Sequence, residues 1–413
     1  MASGGGEFRR SLPALYAAIP VVIIYFAVLG IVLTAAGPTG LDLTDAQASG
    51  WIAVLYGWPT ALAVVLTIRY RQPLLLTGNI FAIIFFVSLG DRLTFPELAG
   101  AAIVAGAILL LMSILGITGR VADWIPAPIV QGLIAGAVMP FVVGVFTSLS
   151  TTTSGGDRIP IEVPLMIGAA LLAYLVGQRY LPARVPAILP AFAAGLLVAV
   201  VTGQLGPLPT SFSLPSMNLV TPTFSWEAIA TATPVLVALL TVPSTIPSVI
   251  FMRSQGFDPP ERTINVVSGA GTIVGSFLGP VAVSLALPPV LLTAGPGAGE
   301  RSIRYRSIFL PGVVGLGIAL FASTATELAD LVPPVLLLTM AGLALVGALI
   351  AAVKEIASGP LTYGPIFAFA IALSDMTLFG LGPFFWSLVL GTAVSLFLER
   401  DGWRELRAAR SGA

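Results

Sequence analysis

The sequence predicts an all-helical membrane protein of about fourteen transmembrane helices, arranged as two seven-helix halves of opposite orientation. Three observations carry this: a chain almost without charge, a series of apolar runs, and matched segments 207 residues apart.

Of 413 residues, 57% are hydrophobic and only 9% charged. A soluble domain carries about 25% charge, so the solvent implied for this surface is lipid. Formal net charge is zero, which offers no field to recruit nucleic acid. Cysteine and histidine are both absent. That removes disulfides, thiolate nucleophiles, imidazole bases and the usual metal ligands, so neither an enzyme nor a metal or other cofactor is expected. Arg9 and Arg10 precede the first apolar run without an A-x-A cleavage site, which reads as a retained first span.

A hydrocarbon core of roughly 30 Å takes about 20 apolar residues per helix. Runs of that kind cover 13–36, 48–68, 73–89, 95–117, 125–147, 163–179, 185–203, 228–252, 263–278, 280–296, 307–326, 331–353, 360–376 and 380–398. With a cytoplasmic N-terminus, this partition puts 17 of the Lys and Arg residues on inner segments and only Arg92 and Arg158 outside. Acidic residues split 10 outside to 9 inside. The bias belongs to the basic residues alone, as the positive-inside rule requires. It implies an even span count, both termini cytoplasmic, and a cell (inner) membrane location.

Pro73-Leu-Leu-Leu-Thr77 reappears in type as Pro280-Val-Ala-Val-Ser284, an offset of 207. Ala122-Asp123-Trp124-Ile125-Pro126 recurs as Ala329-Asp330-Leu331-Val332-Pro333 at the same offset. Seven spans separate each pair, and an odd step reverses every matched helix. The expected units are therefore an inverted repeat of residues 1–203 against 228–398, an architecture shared by many alternating-access carriers.

Spans three and ten place the candidate site. Each reads as an extended stretch entering the membrane, followed by a half-helix that starts near the midplane. Thr77, Gly78 and Asn79 follow the first stretch; Ser284 and Pro288-Pro289 follow the second. Asn, Thr and Ser are favoured N-caps and proline suits a first turn; the second cap is Ser284 or Ala286. Irregular backbone at this depth is tolerated where protein or a cavity satisfies it. Two opposed helix starts with free N–H groups suit an anion, above all a carboxylate. In span eight, Thr241-Val-Pro243-Ser244-Thr245-Ile-Pro247 breaks the helical ladder and brings Thr241, Ser244 and Thr245 into consideration. Their alternative is a bond back to their own helix. No Asp, Glu, Lys or Arg falls at mid-membrane depth, which argues against an internal carboxylate relay. Asp123 and Asp330 read as helix caps, the tryptophans as interfacial anchors, and Phe81, Phe85 and Phe86 as packing.

Gly40-Leu-Asp-Leu-Thr-Asp-Ala-Gln-Ala-Ser-Gly-Trp51 followed by Arg69-Tyr-Arg-Gln-Pro73 resembles the benzoate–proton symporter family. So do Ile246-Pro247, Ser254-Gln-Gly-Phe-Asp-Pro-Pro260, Arg301-Ser-Ile-Arg-Tyr305 and Ser374-Asp-Met-Thr-Leu-Phe-Gly-Leu-Gly-Pro-Phe-Phe-Trp386. That family is similar to nucleobase permeases and sulfate-type anion transporters. The resemblance implies a core domain of spans 1–4 and 8–11, a gate domain of spans 5–7 and 12–14, and short strands at the substrate site. It also implies uptake of benzoate or a related aromatic carboxylate with a proton. The chain departs from the family pattern at Ser244-Thr245, Pro288-Pro289 and the histidine-free stretch Gly295-Pro-Gly-Ala-Gly-Glu300.

The expected function is thus secondary transport of a small organic anion, with Thr77, Gly78, Asn79, Thr241, Ser244, Thr245 and Ser284 at the site. The expected partners are that anion, a coupled proton and the lipid bilayer, with a homodimer among the options. The alternatives are a nucleobase-type permease, which expects acidic or amide side chains in spans eight and ten, and a passive anion channel.

Overall fold

The computed structural model describes residues 4–38, 40–120, 124–150, 159–182, 186–206, 213–374 and 376–411, and each expected apolar run contains helix. The first half of the chain supplies α1 (Gly4–Ala36), α2 (Asp45–Tyr70), α3 (Ile80–Ser88), α4 (Phe95–Ile114), α5 (Ala127–Thr147), α6 (Glu162–Tyr180) and α7 (Ile188–Val201). The second supplies α8 (Trp226–Leu240), α9 (Ile246–Ser254), α10 (Glu261–Gly275), α11 (Leu287–Thr293), α12 (Phe309–Leu320), α13 (Ala322–Leu331), α14 (Pro334–Ser358), α15 (Tyr363–Leu373), α16 (Pro383–Leu398) and α17 (Arg400–Ser411). Two strands, β1 (Leu76–Gly78) and β2 (Val283–Leu285), complete the fold. Among the described residues, eight helical stretches are long and apolar enough to cross a bilayer, and α7, α15 and α16 are shorter apolar helices. This is a multi-pass, mostly helical membrane protein.

Local chemistry sets the element starts. Thr44 and Gln47 form a reciprocal capping box at α2, and Ser225 Oγ accepts the Ala228 amide at α8. Glu97 accepts the Thr94 amide at 2.9 Å where α4 begins. Pro126 and Pro333 are the cap residues of α5 and α14. Asp330 lies in the last turn of α13, away from the cap position of α14, and Asp123 falls outside the described residues. Span eleven also differs from expectation. It begins as a 3-10 turn at Arg301–Ile308, and Phe321 ends α12 before α13 starts. The basic tail beyond span fourteen folds as α17.

Helices α5 and α14 pack together, α15 lies against α5 and α16, and α6 pairs with α7. On the other side α4 packs on α10 and α8, and α2 on α12. The α4–α10 contact is close because both sides offer glycine: a Cβ on Gly106 would lie 2.8 Å from the Gly269 carbonyl, and the reverse holds. Trp51 and Trp58 are internal ties, donating to the Pro280 carbonyl at 2.7 Å and the Gly271 carbonyl at 2.8 Å. Trp226, 81% exposed, fits the interfacial reading better.

Glu399, between α16 and α17, caps the start of α15. Its carboxylate accepts the amides of Thr362, Tyr363 at 2.8 Å and Gly364 at 3.0 Å. Burial would raise its pKa, but these amides, with the Ser395 hydroxyl, hold it below the usual carboxylate range. A depressed carboxyl stabilises the fold above its unfolded pKa and loses that contribution as pH falls through the folded value. Glu399→Ala is expected to cost about 1 kcal/mol at neutral pH. The gap to wild type should shrink as pH drops from about 5 toward 3, read by thermal unfolding in detergent.

Candidate substrate site

Strand β1 pairs antiparallel with β2, with Leu76 opposite Leu285, Thr77 opposite Ser284 and Gly78 opposite Val283. Each strand runs directly into a half-helix, so α3 and α11 leave the pair in opposite directions. Buried backbone must be hydrogen-bonded, and neighbouring side chains complete the accounting here. Thr67 Oγ1 on α2 accepts the Leu74 amide, and Thr272 Oγ1 on α10 accepts the Val283 amide at 2.9 Å. A Cβ on Gly78 would lie 3.0 Å from the Leu55 carbonyl oxygen, tighter than an ordinary contact, so glycine lets α2 approach the strand closely.

Asn79 ties these parts together. Its Oδ1 caps α3 by accepting the Phe81 amide at 2.9 Å and the Ala82 amide at 3.2 Å. Its Nδ2 donates to Ser244 Oγ at 2.8 Å, Ser284 Oγ at 3.0 Å and the Leu239 carbonyl at 3.2 Å. Three chain segments thus meet on one buried amide. Span eight reaches it through a π-helical turn at Thr241–Thr245, where Pro243 and Pro247 interrupt the ladder. The Thr241 hydroxyl donates to the Val237 carbonyl at 2.8 Å and the Thr245 hydroxyl to the Leu240 carbonyl at 2.9 Å. Both bond back to their own helix, and only Ser244 of the three reaches the site.

Between the half-helix starts lies a cavity of about 110 Å³. That is large against the roughly 10–15 Å³ that admits one water. Thr77, Gly78, Asn79, Ser244 and Ser284 line it, with Ile80 and Phe81 from α3 and Ala286 to Pro289 at the start of α11. Sequence reasoning missed the opposite wall: Ile24, Tyr25 and Val28 of α1 and Leu55, Tyr56 and Thr60 of α2. Tyr56 Oη donates to the Tyr25 carbonyl at 2.8 Å, and the two rings meet edge-on with centroids 5.7 Å apart. No lining residue carries a formal charge.

The donor inventory is sparser than the sequence suggested. The cap of α11 is Ala286, and the second and third helical positions hold Pro288 and Pro289, which have no N–H. Asn79 already occupies two amides of α3. The Asn79 amide donates to the Ala282 carbonyl and the Ala286 amide to the Leu75 carbonyl. Ladder alternation then makes Thr77 and Ser284 a bonded pair, spending their amides on each other. What remains is one amide at each start, Ile80 and Leu287, plus two hydroxyl protons. The half-buried Thr77 hydroxyl is unengaged, and Ser284 Oγ accepts from Asn79 but keeps its own O–H to donate.

The surroundings are asymmetric. On the α3 side, Phe81, Ile84 and Phe85 pack against Leu133, Ile134, Ala137 and Val138 of α5 with negligible void. Phe85 also meets Phe384 of α16 edge-on, centroids 5.3 Å apart. On the α11 side, a cavity of about 410 Å³ lies between α1 and the end of α11, lined by Tyr16, Pro20, Leu291, Leu292 and Gly295. Tyr16 and Pro20 in this space and Ile24 and Val28 at the site lie four residues apart along one face of α1.

Broken helices converging on an interior cavity are the architecture of a membrane transport protein. A family model described as "Benzoate membrane transport protein" matches residues 9–397. The chain belongs to that family. It is 25% identical over 374 residues to the benzoate membrane transport protein of Acinetobacter baylyi, covering 88% of this chain and 91% of that one. It is 26% identical over 384 residues to the inner membrane protein YdcO of Escherichia coli, covering 92% and 94%. The fold is similar to the transmembrane domain of the cyanobacterial bicarbonate transporter BicA, with a TM-score of 0.54, 17% identity and coverage of 94% and 97%. It is also similar to murine Slc26a9, an anion transporter in the inward-facing state, with a TM-score of 0.63, 13% identity and coverage of 94% and 68%.

Proposed function

We propose that this protein is a secondary transporter of an aromatic carboxylic acid, benzoate or a close relative, and that substrate and proton cross together. The observation that carries this reading is the uncharged cavity between two opposed half-helix starts, walled on one side by Tyr25, Tyr56 and Phe81. A lone buried carboxylate without a cation is strongly disfavoured. A carboxyl group that brings its own proton is neutral, and it can both donate and accept among the Thr77 and Ser284 hydroxyls and the Ile80 and Leu287 amides. Proton coupling then needs no protein carboxylate, in keeping with a cavity that has none. The name carried by the Acinetobacter relative supports the substrate class.

The two strand–half-helix units support the further reading of seven plus seven inverted spans. The packing of α5, α6, α7, α14, α15 and α16 among themselves supports a gate domain moving against a core of α1–α4 and α8–α12. With both termini cytoplasmic in a cell (inner) membrane, the seal at α3 is the outer gate and the route along α1 faces inward.

The test is a binding titration of purified protein with benzoate, substituted benzoates and nucleobases at several pH values. If the acid form binds, the apparent Kd rises about tenfold per pH unit above the substrate's own pKa. A pH-independent Kd would remove the shared proton, and a response to nucleobases alone would replace the substrate class. Thr77→Val keeps the volume and removes one hydroxyl; it should weaken binding by about tenfold with little change in unfolding temperature.

A further inference from the structure

The cavity wall opposite the half-helix starts holds a hydroxyl that nothing in the protein satisfies. Tyr25 is only 5% exposed, and its Oη is buried with no hydrogen-bond partner. Thr60, itself buried, stands beside it, but the pair does not complete hydrogen-bond geometry. Were the two hydroxyls to swing together, one of their two protons would still lack an acceptor. The Tyr56 hydroxyl is directed elsewhere, donating to the Tyr25 carbonyl at 2.8 Å. Behind the pair, α12 comes in at Gly315, where a Cβ would lie 2.6 Å from Thr60 Oγ1 and 3.0 Å from Tyr25 Cε2. Glycine brings no side-chain acceptor to that point. A buried hydroxyl without a partner costs stability, so native proteins keep few of them. The open space that Tyr25 and Thr60 both border is the cavity, and the missing partner belongs there.

The lining thus has two polar poles, Thr77 with Ser284 on one wall and Tyr25 with Thr60 on the other, and is otherwise apolar, with Ile24, Val28, Leu55 and Phe81 among its residues. A benzoic acid held by its carboxyl at the first pole turns the far edge of its ring to the second. We infer that the preferred substrates are benzoic acids with a hydroxyl on the meta or para carbon, and that Tyr25 sets this preference. The inference rests on the aromatic-acid reading given above. A ring hydroxyl both donates and accepts, so it takes the Tyr25 proton and offers its own to Thr60 Oγ1. A bare or methylated ring leaves the phenol orphaned. A site built to bond a ligand hydroxyl rejects the analogue without it, because its own buried group is then unpaired.

Full-length protein in detergent is titrated with benzoate, meta- and para-hydroxybenzoate, and meta- and para-methylbenzoate, each Kd expressed for the neutral acid. A methyl group is close to a hydroxyl in size and forms no hydrogen bond, so the comparison of each hydroxy acid with its methyl counterpart isolates the bond from the volume. One net hydrogen bond corresponds to roughly tenfold in affinity. At least one hydroxy acid should therefore bind roughly tenfold more tightly than its methyl counterpart. Tyr25→Phe keeps the ring and should bring that ratio to within about twofold of one. Because the hydroxyl it removes has no partner, the unliganded variant should unfold at no lower temperature than wild type. A clearly lower unfolding temperature would show the phenol bonded within the protein and overturn the assignment. So would equal or weaker binding of the hydroxy acids, or a ratio that survives Tyr25→Phe; with benzoate still bound, either result leaves the aromatic-acid carrier standing. No binding of any of these acids to wild type would overturn both readings together.

Discussion

Asn79→Ala is expected to abolish transport and to lower stability by about 3 kcal/mol, one of the largest single-residue effects available in the chain. The cap alone is worth about 0.5–2 kcal/mol, since the Phe81 and Ala82 amides lose their acceptor. Removing a partner from a buried polar group adds about 1–3 kcal/mol. Here the Nδ2 bonds to Ser244 and Ser284 go as well, which leaves Ser248 Oγ, donating to the Ser244 carbonyl at 2.6 Å and the Leu285 carbonyl at 3.5 Å, as a side-chain tie between the π turn and β2. Asn79→Asp separates the two roles. It keeps the capping oxygen but loses the donor and puts negative charge beside the cavity, so it should fold and yet bind a carboxylic acid poorly. Thermal unfolding and benzoate binding on the two variants check this. An alanine variant with wild-type stability would show that Asn79 is a bystander to the three segments it touches.

How far the site was legible in the sequence follows from what each residue type constrains. Proline-led stretches before small polar residues mark broken membrane segments, because proline removes a ladder hydrogen bond wherever it stands. That made spans three and ten readable, and Asn79 readable as a cap. The pairing of β1 with β2 needed the resemblance as well, since three-residue strands leave no period to detect. The amide-rich anion trap was an overestimate. Pro288 and Pro289 mark a helix start and strip it of donors at the same time, and the capping side chain of Asn79 consumes the donors of the other start. The wall of Tyr25, Tyr56 and Thr60 could not be read at all. A membrane helix is apolar on every side, so α1 and α2 carry no pattern that says which face turns inward. Beyond the last span, the buried Trp403, whose indole donates to Ser395 Oγ at 3.0 Å, anchors the charged helix α17.

Joining α8 to α16 by a disulfide is expected to stop transport and reduction to restore it. The chain has no cysteine, so a double variant carries one defined pair. A Cβ on Gly382 would lie 3.6 Å from Thr231 Cγ2, so a small adjustment brings two cysteines to the Cβ separation of about 3.5–4.5 Å that a disulfide takes. Gly382 has φ −78°, which any residue adopts, and the Thr231 hydroxyl is buried without a partner, so neither exchange removes a needed bond. Arg92 is the one neighbour that must shift, by the end of a flexible side chain that now donates to Thr377 Oγ1. On the proposed reading, Thr231 belongs to the moving core and Gly382 to the gate, and their contact closes the outer face together with Phe85 on Phe384. Opening toward that face must separate them. Oxidised Thr231→Cys/Gly382→Cys protein in vesicles should therefore show background benzoate uptake, while the single variants and the reduced pair run near wild-type rate. Binding from the α1 side should survive the cross-link, because that route does not pass between α8 and α16. Full uptake by cross-linked protein would mean that these helices move as one body, and the division into core and gate would have to be drawn elsewhere.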